Sequence, residues 1–146
     1  MDLTKDVPRS PYESLVGIVF LPRAIDKARA EIAGTLGEYV ALTGQSERVF
    51  ELLDVTADEF VEAVRARPTD AEMAAWAAER LASKSVEDLA AWNSWMMSRA
   101  PVNAEQWERH NFYLEAMGKS DRLDIYRPFD RLDLDEGRDV PIGGRS

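Results

Sequence analysis

The chain has 146 residues, no cysteine, and 27 acidic against 18 basic side chains, for a net charge of −9. That length fits one domain with a core of its own. The missing thiols exclude cysteine nucleophiles, thiolate zinc sites, iron–sulfur ligation and redox switching, and the acidic balance opposes nucleic acid, which needs cations against phosphate.

The first residues, Met1 to Asp6, mix charges and read as no signal peptide. Pro8-Arg9-Ser10-Pro11 is a stiff element, because each proline fixes its own φ and restricts its predecessor. Val16 to Leu21 is apolar and β-branched, and it reads as a short extended segment buried under helices with no strand partner. The longest apolar run, Leu15 to Leu21, is far short of the roughly 20 residues a membrane span needs. These features predict a cytoplasmic protein with no membrane contact.

Helix signals dominate from Pro22, which suits a first helical turn. Leu21, Ile25, Ala28 and Ile32 make an apolar stripe at helical spacing, and Gly34 suits a left-handed cap. Glu38 to Leu42 reads equally as a helical turn or a strand. Ser46 to Leu53 reads as a helix with Val49, Phe50 and Leu53 inward. Thr56-Ala57-Asp58-Glu59 and Thr69-Asp70-Ala71-Glu72 fit the capping box, in which the hydroxyl and the carboxylate each take one orphan N–H. Ser85-Val86-Glu87-Asp88 is a weaker version, with Asp in third place. Asn103 caps a last long helix that Gly118 ends, with Trp107, Leu114 and Met117 inward. Arg127-Pro128 reads as a break, and Pro141 to Ser146 as mobile.

Several of these words resemble a known family. Asp2-Leu3-Thr4, Pro8-Arg9-Ser10-Pro11, Leu21-Pro22-Arg23, Ile25-Asp26-Lys27, Arg29-Ala30 and Gly34-Thr35-Leu36-Gly37-Glu38-Tyr39 are similar to the bacterial domain-of-unknown-function 5069 family. The likeness runs to the acidic stretch Leu132 to Asp135. It implies no activity and no site residues. Where many members of that family carry a cysteine this chain has Ala28, so no thiol role transfers.

Five constellations could carry chemistry. Arg23 and Lys27 share a helix face four residues apart, and the N-terminal arm is expected to bring Arg9 beside them. With Arg29, Glu38 and Tyr39 they form a candidate site for a phosphate or carboxylate, against the alternative of a solvated face paired through Asp26. Glu38, Tyr39 and Asp26 are the candidates for acid–base work on such an anion. His110, the sole histidine, rules out a two-histidine metal site within one chain and reads as a core or boundary residue. The run Asp130 to Gly137 fails as a calcium loop, because Arg138 stands where a glycine must turn it. It reads instead as a solvated connector anchored by Leu132 and Leu134. Trp92, Trp95 and Arg99 line one helix face, which is either core or an interface for a partner or a second copy.

The expected architecture is all-α: one compact bundle of about six helices. Residues 1–20 form an ordered non-helical arm, 21–118 the helical core and 119–146 an acidic segment with a mobile tail. No cofactor and no metal site are read. The expected function is a non-catalytic module for a partner protein or a small anionic ligand, with a small acid–base enzyme as the alternative.

Overall fold

Two antiparallel strands and seven helices make up the described residues, 1–145, of the computed structural model. The strands are β1 (Ser14–Leu15) and β2 (Ile18–Val19). The helices are α1 (Leu21–Ala33), α2 (Ser46–Leu53), α3 (Ala57–Ala66), α4 (Asp70–Arg80), α5 (Val86–Ser98), α6 (Ala104–Ala116) and α7 (Pro128–Asp135). The protein is thus helical, with an arm ahead of α1 and one helix more than the periodicity suggests. No helix is long and apolar enough to cross a membrane. The chain divides into two compact units, Met1–Trp92 and Asn93–Ser146.

In the first unit the apolar stripes meet as expected. Leu21, Ile25 and Ala28 of α1 are buried, as are Val49, Phe50 and Leu53 of α2 and Phe60 and Val64 of α3. Phe60 lies 4.9 Å from the Phe50 ring and 6.0 Å from Trp76, tying α2, α3 and α4 together. Gly34 closes α1 in the left-handed conformation. Thr56 and Glu59 form the full reciprocal box. Thr69 accepts from the Glu72 N–H, but Glu72 bonds the Thr69 hydroxyl rather than its backbone. Ser85 and Asp88, the weaker pattern, complete both bonds at 3.0 Å.

The extended segment after Leu15 does have a partner, a correction to the sequence reading. Ser14 pairs with Val19 and Leu15 with Ile18 across Val16-Gly17. Both turn residues have positive φ, 47° and 80°, the combination a two-residue hairpin of this hand needs. Glycine adopts it without cost, whereas a β-branched residue there is strained by about 1–3 kcal/mol. That unusual valine is why no turn is visible in the sequence.

The arm runs antiparallel to α1. The Leu3 N–H donates to the Thr35 carbonyl just past the helix end, and the Thr35 hydroxyl donates to the Met1 carbonyl. Arg9 meets the opposite half of the helix, at Pro22 and Asp26. Glu38 to Leu42 forms neither helix nor strand.

The second unit departs further from expectation. Pro128 opens α7 instead of breaking structure, since its missing N–H and fixed φ suit a first turn. The acidic run is therefore not a solvated connector. Phe129, Asp130 and Asp133 are buried, while Leu132 and Leu134 are only half-buried. The α6 stripe is set by His110 and Leu114, and Trp107 at its edge is exposed. Of the segment read as a mobile tail, Ser146 lies outside the described residues, and Pro141, Gly143, Gly144 and Arg145 carry hydrogen bonds. The Gly143 N–H donates to Asp124 at 2.8 Å and the Arg145 N–H to Asp130 at 3.1 Å. Gly144 is packed so closely that a Cβ there would collide with the Asp130 carboxylate and lie 2.9 Å from Arg127 Nη1.

Candidate functional site

Residues of the N-terminal arm do converge on α1. The Arg9 backbone N–H and Nε donate to Asp26 Oδ2 at 2.9 and 3.0 Å, and its Nη2 donates to Oδ1 at 3.0 Å. The other edge of the guanidinium reaches Asp70, with Nη1 to Oδ2 at 2.7 Å. Arg29 joins the same carboxylate at 2.9 Å. Arg23 donates from Nη1 to the Arg9 carbonyl at 3.1 Å. The arm thus brings Arg9 to Arg23, and Asp70 brings Arg9 and Arg29 together. Arg23 and Lys27 share a face: each places its charge 5.9 Å from the Phe20 ring centroid, and Arg23 stands equally far from the Tyr39 ring.

The electrostatics are those of a closed network. Burial works against the charge on Arg9, but the bonds to Asp70 and Asp26 outweigh it and raise its pKa above the usual guanidinium value. The Arg9 hydrogen bond in turn lowers Asp70, against partial burial. Asp26 has both oxygens engaged by Arg9, and Arg23 is wholly buried. An external anion at Arg9 or Arg29 must therefore compete with two resident carboxylates. Glu38 is exposed and Tyr39 half-buried. Asp70 is the member of this network that the sequence reading missed. It showed there only as the second residue of a capping box, and nothing local signals a pairing across 61 positions.

A different kind of site occupies the second unit. Trp95 is 47% exposed and the Arg99 guanidinium lies 4.7 Å over its ring. Trp92, its expected neighbour on α5, is half-buried at the end of the first unit. On α6, Trp107, Phe112 and Tyr113 are exposed, Phe112 by 65%. At 100° per residue Phe112 points away from His110 and Leu114, among Glu105, Glu108 and Glu115. Behind this face, His110 is buried with both ring nitrogens engaged: Nε2 lies 2.7 Å from the Ile125 carbonyl and Nδ1 3.1 Å from Arg131 Nη1. Burial and the Arg131 charge hold its pKa below the ordinary imidazole value.

A cavity of about 630 Å³ also lies in this unit, with Lys119, Arg122 and Arg138 on its walls and Met117, Leu134 and Val140 beside them. Arg122 is already fixed on Asp124 and on the carbonyls of Val140 and Pro141. Arg138 is paired with Asp133 and Glu136. Among the described residues no group of three or more His, Cys, Asp or Glu side chains is placed to hold a metal ion.

A family model described as a domain of unknown function, DUF5069, matches residues 5–138. The chain belongs to the DUF5069 family. The matched span includes both the Arg9 network and the exposed aromatics of α5 and α6, so both are parts of a DUF5069 domain. Comparison with curated proteins finds no match. Membership thus gives kinship, and any chemistry has to come from the geometry above.

Proposed function

We propose that this DUF5069 chain is a non-catalytic interaction module that engages a partner protein through the exposed aromatics of its second unit, Phe112 with Tyr113 beside it foremost. The exposure of Phe112 carries the reading. Burying such a side chain is worth about 1.5–3 kcal/mol, and aromatics with arginine are enriched where proteins meet. Trp95 with Arg99, Trp107 and Tyr113 extend that composition. Glutamates flank Phe112, so the complementary surface is apolar at its centre and basic at its rim. The self-contained Arg9 network supports the same reading, because its bases and carboxylates already engage one another. A cytoplasmic location is part of the proposal, supported by a cysteine-free composition that suits a reducing compartment.

The test is a photo-crosslinking residue placed at Arg109, beside Phe112, in cells. It should give a discrete adduct that disappears with Phe112→Ser and does not form from the same probe at Glu62. A second copy of the chain is one identity the adduct can have. Identical patterns from both positions, indifferent to Phe112, would sink the proposal. Lys119, on the wall of the cavity that Arg122, Arg138, Asp135 and Asp139 also line, supports a second reading, a small anionic ligand. Thermal stabilisation by phosphate or citrate that is lost in Lys119→Ala would favour it.

A further inference from the structure

Both nitrogens of His110 face partners of fixed character. The Ile125 carbonyl can only accept, so Nε2 carries the hydrogen; the Arg131 guanidinium can only donate, so Nδ1 presents its lone pair. The neutral Nε2–H tautomer satisfies both. A second proton has one place to go, Nδ1, and an N–H donor already occupies it. Protonation there sets donor against donor and cation against cation at 3.1 Å.

The outcome of that conflict depends on where Arg131 sits. Its guanidinium lies 4.9 Å over the Tyr113 ring, and the Trp107 ring meets His110 edge-on at 5.9 Å. The histidine therefore stands directly behind two of the exposed aromatics. We infer that protonation of His110 drives Arg131 off Tyr113, whose ring centroid lies 5.8 Å from that of Phe112, and so weakens partner binding in mildly acidic conditions. This inference rests on the interaction surface proposed above.

The charges around the ring favour such a response. From α7 come Arg131 itself and Asp135, and from α6 come Arg109 and Tyr113; Asp135 acts on Arg131 as an opposite charge and Arg109 as a weaker like one. The connecting segment contributes the Ile125 carbonyl, which is neutral. The charge that acts on the imidazole itself is Arg131, which opposes a second proton there. The ring is 1% exposed, so water cannot restore the loss without movement.

Linkage sets the sign. The folded state holds His110 neutral below the pH at which the unfolded chain takes up its proton. Stability thus falls as pH drops from about 6.5 toward the lower folded value.

The full chain tests this without any substitution, because its one histidine gives one set of imidazole nitrogen signals. NMR near neutral pH should show the Nε2–H tautomer, with a titration midpoint below that of a solvent-exposed histidine. The Tyr113 ring and Trp107 indole signals should move with that same midpoint. In Arg131→Met the midpoint should rise and Tyr113 should stop tracking it. An Nδ1–H tautomer, an unshifted midpoint, or Tyr113 and Trp107 signals that ignore the titration would each overturn the switch.

Crosslinking from position 109, repeated across about pH 5 to 8, separates the two ideas. A Phe112-dependent adduct of constant yield rejects the switch and keeps the surface. Coupled NMR titration with no Phe112-dependent adduct rejects the surface and its regulation of binding. A yield that falls several-fold on acidification, at the His110 midpoint, is the expected result.

Discussion

The two units of this protein solve burial differently. In the first, α1 to α4 enclose phenylalanines and aliphatics together with Arg23, Asp26 and Ser46, and its exposed large apolar side chains, among the described residues, are Met1, Val7, Val40 and Val86. In the second, buried Met96, Leu114, Ile125, Phe129 and Val140 share the interior with His110, Asp130 and Asp133, and every exposed aromatic is there. A short segment has too much surface for its volume to hide all its apolar groups. Both units hold ion pairs inside, but among the described residues the second leaves tryptophan, phenylalanine and tyrosine outside. The difference teaches where to look for a partner: at the unit whose own folding leaves aromatics unused.

Breaking the buried charge should have the largest effect. Asp133 is fully buried and paired with Arg138 at 3.1 Å and Arg145 at 3.5 Å. Asp133→Ala should cost about 3–5 kcal/mol, read from urea unfolding. A loss below about 1 kcal/mol would mean that apolar packing holds the second unit as it holds the first. Next in size is Arg9→Met, which deprives buried Asp26 of its guanidinium. A loss of about 2–3 kcal/mol is expected, with faster hydrogen exchange at Leu3 and Arg9, while α6 amides stay protected. Spread of the effect to α6 would erase the distinction between the units. Ser85→Ala removes a complete capping box and should cost about 1 kcal/mol. Phe112→Ser should change stability by less than about 0.5 kcal/mol and yet abolish the crosslink, which is the sharpest form of the contrast.

Acid offers one further probe of the second unit. The Arg122 hydrogen bond, helped by the Gly143 N–H, lowers Asp124 to about 2. A carboxylate depressed on folding stabilises above its unfolded pKa and loses that contribution as pH falls through the folded value. Protection of the Gly143 amide should therefore persist through about pH 4 and vanish toward about pH 2. Loss at a higher pH would show that the tail is held by something other than Asp124.

Much of the fold was legible in the sequence, for local reasons. Thr56 and Glu59, Asn103 and Gln106, and the stripe through Leu21 and Ile25 act within a turn or two, so spacing reveals them. The seventh helix was missed because Pro128 was read as a stop, though the same chemistry at Pro22 was read as a start. The hairpin was missed because a valine occupies a turn position that usually signals itself with glycine or asparagine. At the candidate site, the gathering of Arg9 and Arg23 was foreseen, but their carboxylate partner on α4 was not. Neither were the exposed ring of Phe112 and the bonds of His110 to Ile125 and Arg131. Those depend on which elements meet, and periodicity in one helix carries no information about another.

The clasp on Arg9 also bears on how the chain assembles. Synthesis runs from the N-terminal side, and this arm's anchors follow it in the chain, Asp26 on α1 and Asp70 only on α4. The bond from Arg9 to Asp70 cannot close until α4, 61 positions on, has been made. Substitutions at Arg9 should consequently speed unfolding and leave the refolding rate nearly unchanged, marking the arm as the last piece to close and the first to open.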